Sequence, residues 1–191
     1  MTDICIRQPA WIEQLLADRP ARYTTDDARM KLALALARAN IEQGTGGPFG
    51  AAVFEAASGG LLSAGVNLVT SVHCSIAHAE MVALAAAQQS LGHHDLGFAV
   101  PGGCILVSSA EPCAMCLGAL PWAGISRLVC AARDEDVRAV GFDEGDKPPD
   151  WPALLQARGI SVTRDLMRTE AIDVLRLYQA SGGEIYGPVQ S

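Results

Sequence analysis

The sequence predicts an α/β protein in which a mixed central sheet lies between two layers of helices, a three-layer α/β/α sandwich. Short apolar runs typical of strands alternate with longer segments in which apolar residues recur at helical spacing. The first two runs are separated only by Ser58-Gly59-Gly60, which indicates a β-hairpin, whereas helical segments separate the later runs. Hairpins pair strands antiparallel and helical crossovers pair them parallel, so we expect a mixed sheet.

Each predicted element has a local signal. Asp26 or Asp27 can cap a helix that extends to about Glu42, and the glycine-rich stretch at 44–50 ends it. The other predicted elements are hairpin strands at 51–55 and 61–66, a helix at 77–90, a strand at 104–108, a helix at 113–122 that Pro121 ends or bends, a strand at 127–132, and a helix, strand and helix at 151–157, 160–163 and 170–180. We expect the crossovers around 78–90 and 113–122 to join parallel neighbours by right-handed connections.

Length and composition fit one folded domain. The 191 residues are 50% hydrophobic and 18% charged, which excludes a wholly disordered chain. No apolar run approaches the roughly 20 residues of a membrane-spanning helix, so no membrane partner is expected. We divide the chain into an N-terminal extension at 1–26, a main domain at 27–180 that carries the chemistry, and a C-terminal segment at 181–191.

The net charge and the cysteine content restrict the expected binding partners and the expected cellular compartment. The formal net charge is −7, so we expect no nucleic-acid partner, because phosphate backbones bind basic surfaces. The first residues include Asp3 and no apolar segment, and we therefore expect no secretory signal and a cytoplasmic location. Without a secretory signal, a disulfide framework among the six cysteines is not expected.

Two motifs predict a metal site, a His-x-Glu motif that begins at His78 and a Pro-Cys-x-x-Cys motif that contains Cys113 and Cys116. Residues at i and i+3 share a helix face, so both cysteine sulfurs point to one place. With His78 they form a three-ligand zinc site whose fourth position is open, which is the catalytic arrangement. Cys74 is the one rival fourth ligand, and it would make the site structural.

Glu80 lies two residues after His78 and points in a different direction, so we do not expect it to bind the metal. It can instead reach a water molecule at the open position and transfer its proton. Zinc lowers the pKa of such a water from about 9 toward roughly 7, which makes hydroxide available near neutral pH. The combination of the two motifs is the signature of zinc nucleobase deaminases.

Further stretches resemble the guanine deaminases of the cytidine-deaminase-like zinc hydrolase superfamily. They lie at 46–51, 77–80, 111–119, 122–123 and 141–145, and the likeness covers roughly residues 27–187. The resemblance implies a cytidine-deaminase-like fold, bound Zn²⁺, and hydrolysis of a free purine base, guanine to xanthine and ammonia, with the triazine ammeline as a further substrate. It also implies a homodimer, and in some similar proteins the C-terminal segment, here 181–191 with Tyr186 as the cap, crosses to cover the active site of the partner.

The resemblance assigns roles by position. The matched zinc ligands are His78, Cys113 and Cys116. Glu80 matches the proton shuttle, Asn67 the amide that reads the purine edge, and Glu144 a second acid that handles the departing amine. From the residues alone, Asn67 is equally a turn residue at the end of a strand, and Glu144 is equally a solvated acid in an acidic loop.

Three more residues are candidates for contact with the base. Phe49 and Phe142 can stack on its two faces, because bases stack on aromatic rings, although ordinary packing explains both residues as well. A backbone group of Ala79 can also face the ligand.

Three other functions stay open. A deaminase of cytosine or another amino-heterocycle would use the same site with a different pocket. A tRNA adenosine deaminase needs a basic tract for RNA, and no Lys or Arg follows Arg176. A zinc-stabilised binding module would have no use for Glu80 beside an open metal position.

Overall fold

Five strands form one mixed sheet in the computed structural model, which describes residues 5–187. In chain order they are β1 (Gly50–Glu55), β2 (Leu61–Val66), β3 (Cys104–Ala110), β4 (Ile125–Ala132) and β5 (Ser161–Thr163). Their spatial order is β2-β1-β3-β4-β5. Strand β1 pairs antiparallel with β2 and β3, and β4 pairs parallel with β3 and β5, so the predicted mixed sheet is confirmed.

Helices connect most of these strands. They are α1 (Trp11–Ala17), α2 (Asp26–Glu42), α3 (Ala79–Leu91), α4 (Leu96–Ala99), α5 (Ala114–Trp122), α6 (Asp134–Ala139), α7 (Trp151–Ala157) and α8 (Arg168–Ala180). The sequence does not predict the short helices α1, α4 and α6, because four to seven residues are too few for a periodic apolar pattern. Among residues 5–187, no helix is long and apolar enough to cross a membrane.

Two local predictions are wrong. The connection through α3 joins parallel strands, but β1 lies between β2 and β3 in the sheet, so they are not neighbours. The crossover through α5 does join the neighbours β3 and β4.

Helix α2 is capped by the hydroxyl group of Thr25 rather than by Asp26 or Asp27, and Asp26 instead pairs with Arg29 at 2.7 Å.

Alternate residues of the central strands face opposite layers. Ala52 and Phe54 of β1 pack in a cluster that contains residues of α2 and α8. Ala51 and Val53 pack in a second cluster that contains residues of α3 and α7. Because the sheet buries both of its faces under helices, the predicted three-layer sandwich is confirmed.

The N-terminal extension packs along the β1–β2 hairpin. The backbone N–H of Tyr23 donates to the carbonyl of Gly59 at 2.7 Å, and the N–H of Leu61 donates to the carbonyl of Ala21 at 3.1 Å. After α8, near the C-terminus of the chain, Tyr186 lies at the candidate site. Residues 1–4 of the predicted extension and 188–191 of the predicted C-terminal segment lie outside the described residues.

Candidate active site

Two helix N-termini meet at one point beside the sheet. His78 is the N-cap residue of α3, Cys113 is the N-cap residue of α5, and Cys116 lies in the first turn of α5. The ligand atoms that these three residues offer all lie within 4.8 Å of one another. The structure therefore brings together the side chains that the sequence predicts as zinc ligands.

The donor set of this cluster suits zinc. The Sγ atom of Cys113 lies 3.5 Å from Nδ1 of His78. Hydrogen bonding from Cys116, and then from His78, outweighs burial and lowers the pKa of Cys113 to about 4, so its sulfur is a thiolate near neutral pH. Zinc binds thiolates and imidazoles, and three such ligands leave a fourth tetrahedral position for water. Cys74 does not belong to the cluster, so the four-ligand alternative is wrong.

Glu80 is buried in the first turn of α3, next to the cluster. Its Oε1 accepts a hydrogen bond from the hydroxyl group of Ser108 at 3.1 Å, and its Oε2 lies 3.6 Å from the sulfur of Cys116. Burial, together with the charge of Cys113, raises the pKa of this carboxyl group. Glu80 therefore takes up a proton more readily than an exposed glutamate, which is what a proton shuttle requires.

A small cavity adjoins the cluster. Its lining residues are Phe49, Asn67, His78, Glu80, Ala110, Glu111, Cys113, Phe142, Asp143, Glu144 and Tyr186. With Tyr186 in place, the free space is about 20 Å³, which is room for about one water molecule. The tyrosine that covers this cavity comes from the same chain.

Asn67 directly follows β2 and is buried in the cavity wall. Its Nδ2 donates a hydrogen bond to the hydroxyl group of Tyr186. Its Oδ1 accepts a hydrogen bond from the backbone N–H of Val69 at 3.3 Å. The side chain thus stabilises the turn after the strand and also presents its amide to the cavity, so the two interpretations of this residue are compatible.

Glu144 is only 7% exposed, so the alternative of a solvated acid is wrong. Burial raises the pKa of its carboxyl group to about 9, helped by the charges of Cys113 and Glu80 and opposed by Lys147 at 3.8 Å. The carboxyl group is therefore protonated near neutral pH. Its backbone carbonyl accepts a hydrogen bond from the N–H of Ala114 at 2.9 Å, which attaches this loop to the start of α5.

Phe49 and Phe142 line the cavity but do not form a parallel slot. Their ring centroids are 5.1 Å apart and their planes are inclined by 69°. This edge-to-face contact leaves no space for a base between the rings, and Phe142 also packs against Tyr186. Ala79 is fully buried in the core cluster beneath α3, and it is not among the residues that line the cavity.

Two charged residues that the sequence does not single out support the site. Lys147 donates to the carbonyl of Pro112 at 3.0 Å and pairs with Asp134 at 2.7 Å, which ties its loop to the segment before the first cysteine ligand. Glu111 lines the cavity and pairs with Arg164 at 2.6 Å. These contacts join residues far apart in the chain, so no local sequence pattern predicts them.

The fold and the site together define a zinc-dependent aminohydrolase. A family model described as the cytidine and deoxycytidylate deaminase zinc-binding region matches residues 23–132, which is more than half of the chain. The chain belongs to this family. The matched region contains the three predicted zinc ligands and Glu80.

Individual relatives are guanine deaminases. The chain is 38% identical over 125 residues to the guanine deaminase of Bacillus subtilis (strain 168), with 62% of this chain and 76% of that protein covered. A solved guanine deaminase structure from Nitrosomonas europaea has 49% identity and a TM-score of 0.87, with 93% of this chain and 97% of that chain covered. A crystal structure of NE0047 in complex with 2,6-diaminopurine has 49% identity and a TM-score of 0.88, with 96% of each chain covered. The predicted resemblance is confirmed.

Proposed function

We propose that this protein hydrolyses guanine to xanthine and ammonia. The observation that carries the proposal is the meeting, at one cavity, of the His/Cys/Cys cluster, the buried carboxyl groups of Glu80 and Glu144, and the buried amide of Asn67. The similarity to guanine deaminases, and to a structure that holds 2,6-diaminopurine, supports a purine substrate.

The reaction defines the proton transfers that the site must perform. The oxygen of a water molecule bonds to C2 of guanine. One proton of this water goes to N3 of the ring and the other goes to the departing amine, so that xanthine and ammonia form. His78, Cys113 and Cys116 would hold a zinc ion, which when bound supplies a water nucleophile of lowered pKa. The two proton transfers are the work of the buried carboxyl groups.

Glu80 performs the first transfer, taking a proton from the attacking water and delivering it to N3. The hydrogen bond from Ser108 holds one carboxyl oxygen in place at 3.1 Å, which leaves the other oxygen for the transfer. A raised pKa suits this role, because an acid–base catalyst works best when its pKa lies near the working pH.

Glu144 donates a proton to the departing amine, and the proton lost from the hydroxyl group on C2 then restores the acid. A carboxyl group with a pKa of about 9 carries a proton at neutral pH, so it is ready to donate. Because Glu144 takes part in protonating the departing amine, Glu80 does not have to perform the whole of this second proton transfer.

Asn67 reads the edge of the purine, because its amide offers both a donor and an acceptor. Its present donor bond to Tyr186 is exchanged for one to the ring when the base enters. Phe49 and Phe142 contact the base as adjacent walls. Ammeline also has an amino carbon between two ring nitrogens, as C2 of guanine does, and we propose it as a second substrate.

We further propose that the protein acts in purine breakdown as a cytoplasmic homodimer. Helices α5 and α7 expose three large apolar side chains, Met115, Trp122 and Leu154, and Trp122 is 84% exposed. Burial of exposed apolar side chains such as these against a second copy is favourable. Light scattering on the wild type and on Trp122→Glu tests this: a dimer that the substitution dissociates supports it, and a wild-type monomer contradicts it.

The substrate assignment is tested by ammonia release from the zinc-loaded protein over a panel of guanine, ammeline, cytosine, adenine and guanosine. Guanine is expected to give the highest kcat/KM, with ammeline next. Release from cytosine or adenine but not from guanine would overturn the assignment while leaving the aminohydrolase class intact.

A further inference from the structure

Asn40 is a completely buried polar residue in the largely apolar buried face of α2. Its Nδ2 donates two hydrogen bonds of 2.8 Å, one to the carbonyl of Gly47 and one to the carbonyl of Asn67. A buried polar side chain is costly unless every donor and acceptor is satisfied. Both amide protons of Asn40 are donated, and one of them goes to the backbone of Asn67, the residue proposed to read the purine edge.

A chain of donors that begins in the N-terminal extension ends at the amide of Asn40. The indole of Trp11 can only donate, and it donates to the hydroxyl group of Thr45 at 3.2 Å. The hydroxyl group of Thr45 has two acceptors within reach, Oδ1 of Asn40 at 2.6 Å and the backbone carbonyl of Asn40 at 3.4 Å, and its shorter contact is with Oδ1. Since carbonyl oxygens only accept, Nδ2 of Asn40 must face the two carbonyls and Oδ1 faces the hydroxyl group of Thr45, which gives the network a consistent set of donors.

The backbone of Asn67 is thereby held from two sides. Its carbonyl accepts from Asn40, and its N–H donates to the carbonyl of Phe49 at 3.1 Å. Gly46 packs against the same carbonyl so closely that a Cβ atom there would clash with it. The main chain of Asn67 therefore has little freedom, and its side-chain amide enters the cavity from a defined point.

We propose that Asn40 is a positioning residue for recognition of the base, and that Trp11 and Thr45 give the N-terminal extension a part in that recognition. The inference rests on the proposed role of Asn67. The extension is attached beside the same strand end, because Gln8 donates to the carbonyl of Ala64 in β2 at 2.9 Å. A loss of the Trp11–Thr45–Asn40 chain loosens Asn67 and weakens binding of the purine.

The test is a double-mutant cycle on the zinc-loaded protein, read out as the Kd of 2,6-diaminopurine by calorimetry. Thr45→Val removes the hydroxyl group at nearly constant shape, and Thr45→Ser is the matched control that keeps it. One buried hydrogen bond corresponds to about 3- to 10-fold in Kd, so Thr45→Val is expected to weaken binding by about this factor and Thr45→Ser to bind as the wild type does. In an Asn67→Ala background, Thr45→Val is expected to cause no further loss, because it acts through Asn67.

Trp11→Phe keeps the aromatic packing, removes only the indole donor, and is expected to weaken binding by a smaller factor than Thr45→Val. An unchanged Kd in both Thr45→Val and Trp11→Phe would overturn the inference, and so would an equal loss with and without Asn67. A variant that lowers only the melting temperature has a structural effect and also counts against it. If the wild type binds no purine, the proposed function itself fails, and if Asn67→Ala binds as tightly as the wild type, the proposed role of Asn67 fails; both results are distinct from failure of the inference about Asn40.

Discussion

Replacing Glu144 with glutamine tests whether its carboxyl group is neutral in the folded protein. Glutamine has nearly the shape of a protonated glutamic acid, so it fills the same buried space, but it has no proton to release. Burial raises the pKa of Glu144 to about 9 from an ordinary value of 4.5. The wild type and the variant should therefore differ in how their stability depends on pH.

The size of the difference follows from proton linkage. Between the unfolded and folded pKa values, the folded wild type holds one more proton than the unfolded chain, so its free energy of unfolding falls by about 1.4 kcal/mol per pH unit. The contribution of this group is complete below the unfolded pKa and is lost as the pH rises toward the folded pKa. From about pH 5.5 to about pH 8 the loss is about 3 kcal/mol, and Glu144→Gln lacks it.

The assay is urea unfolding of both zinc-loaded proteins across this pH range, analysed as the difference in free energy of unfolding. Contributions from other titrating groups cancel in that difference. Glu144→Gln should become progressively more stable than the wild type as the pH rises. It should also lose most of its ammonia release from guanine. A difference that stays constant with pH would mean that Glu144 is ionised in the folded protein and would refute its role as the second acid.

Three other substitutions probe the neighbouring groups. Cys113→Ala should lower the zinc content measured by atomic absorption from about one per chain to near zero and should reduce stability, since metal binding is coupled to folding, whereas the control Cys74→Ala should keep its zinc. Lys147→Met removes the cation that lowers the pKa of Glu144, so the alkaline limb of the pH–rate profile should move to higher pH; a shift in the opposite direction would contradict this. Tyr186→Phe removes the acceptor that the Asn67 amide must leave when the base enters, so KM for guanine should fall by up to about 10-fold with zinc content unchanged, and a rise in KM would contradict this exchange.

The metal cluster could be predicted from the sequence because it depends on local geometry. The spacing from Cys113 to Cys116 places both sulfurs on one side of α5, and the combination of the two motifs pairs them with His78 at the start of α3, although the fold is what brings the two helix starts together. Glu80 is placed by the same helix. The alternation of strands and helices likewise predicts the three layers.

The surroundings of Glu144 could not be predicted in this way. Its segment is rich in acidic residues and has the composition of a solvated loop, but the loop is attached to the start of α5 by the hydrogen bond from Ala114, and Glu144 is buried. The order of the strands is also non-local, since nothing in the connection through α3 shows that β1 lies between its two ends. Asn40 carries no signal either, because its partners lie in two separate segments, Thr45 and Gly47 in the loop after α2 and Asn67 after β2.

The central claim is that the carboxyl group of Glu80, beside a His/Cys/Cys zinc site, transfers the proton that permits water to add to guanine. The most direct measurement is ammonia release from guanine by the wild type and by Glu80→Gln, with zinc determined on the same samples. Both proteins should contain about one zinc per chain, and turnover should fall at least about 100-fold in the variant. Turnover close to that of the wild type in a fully zinc-loaded Glu80→Gln protein would contradict the claim.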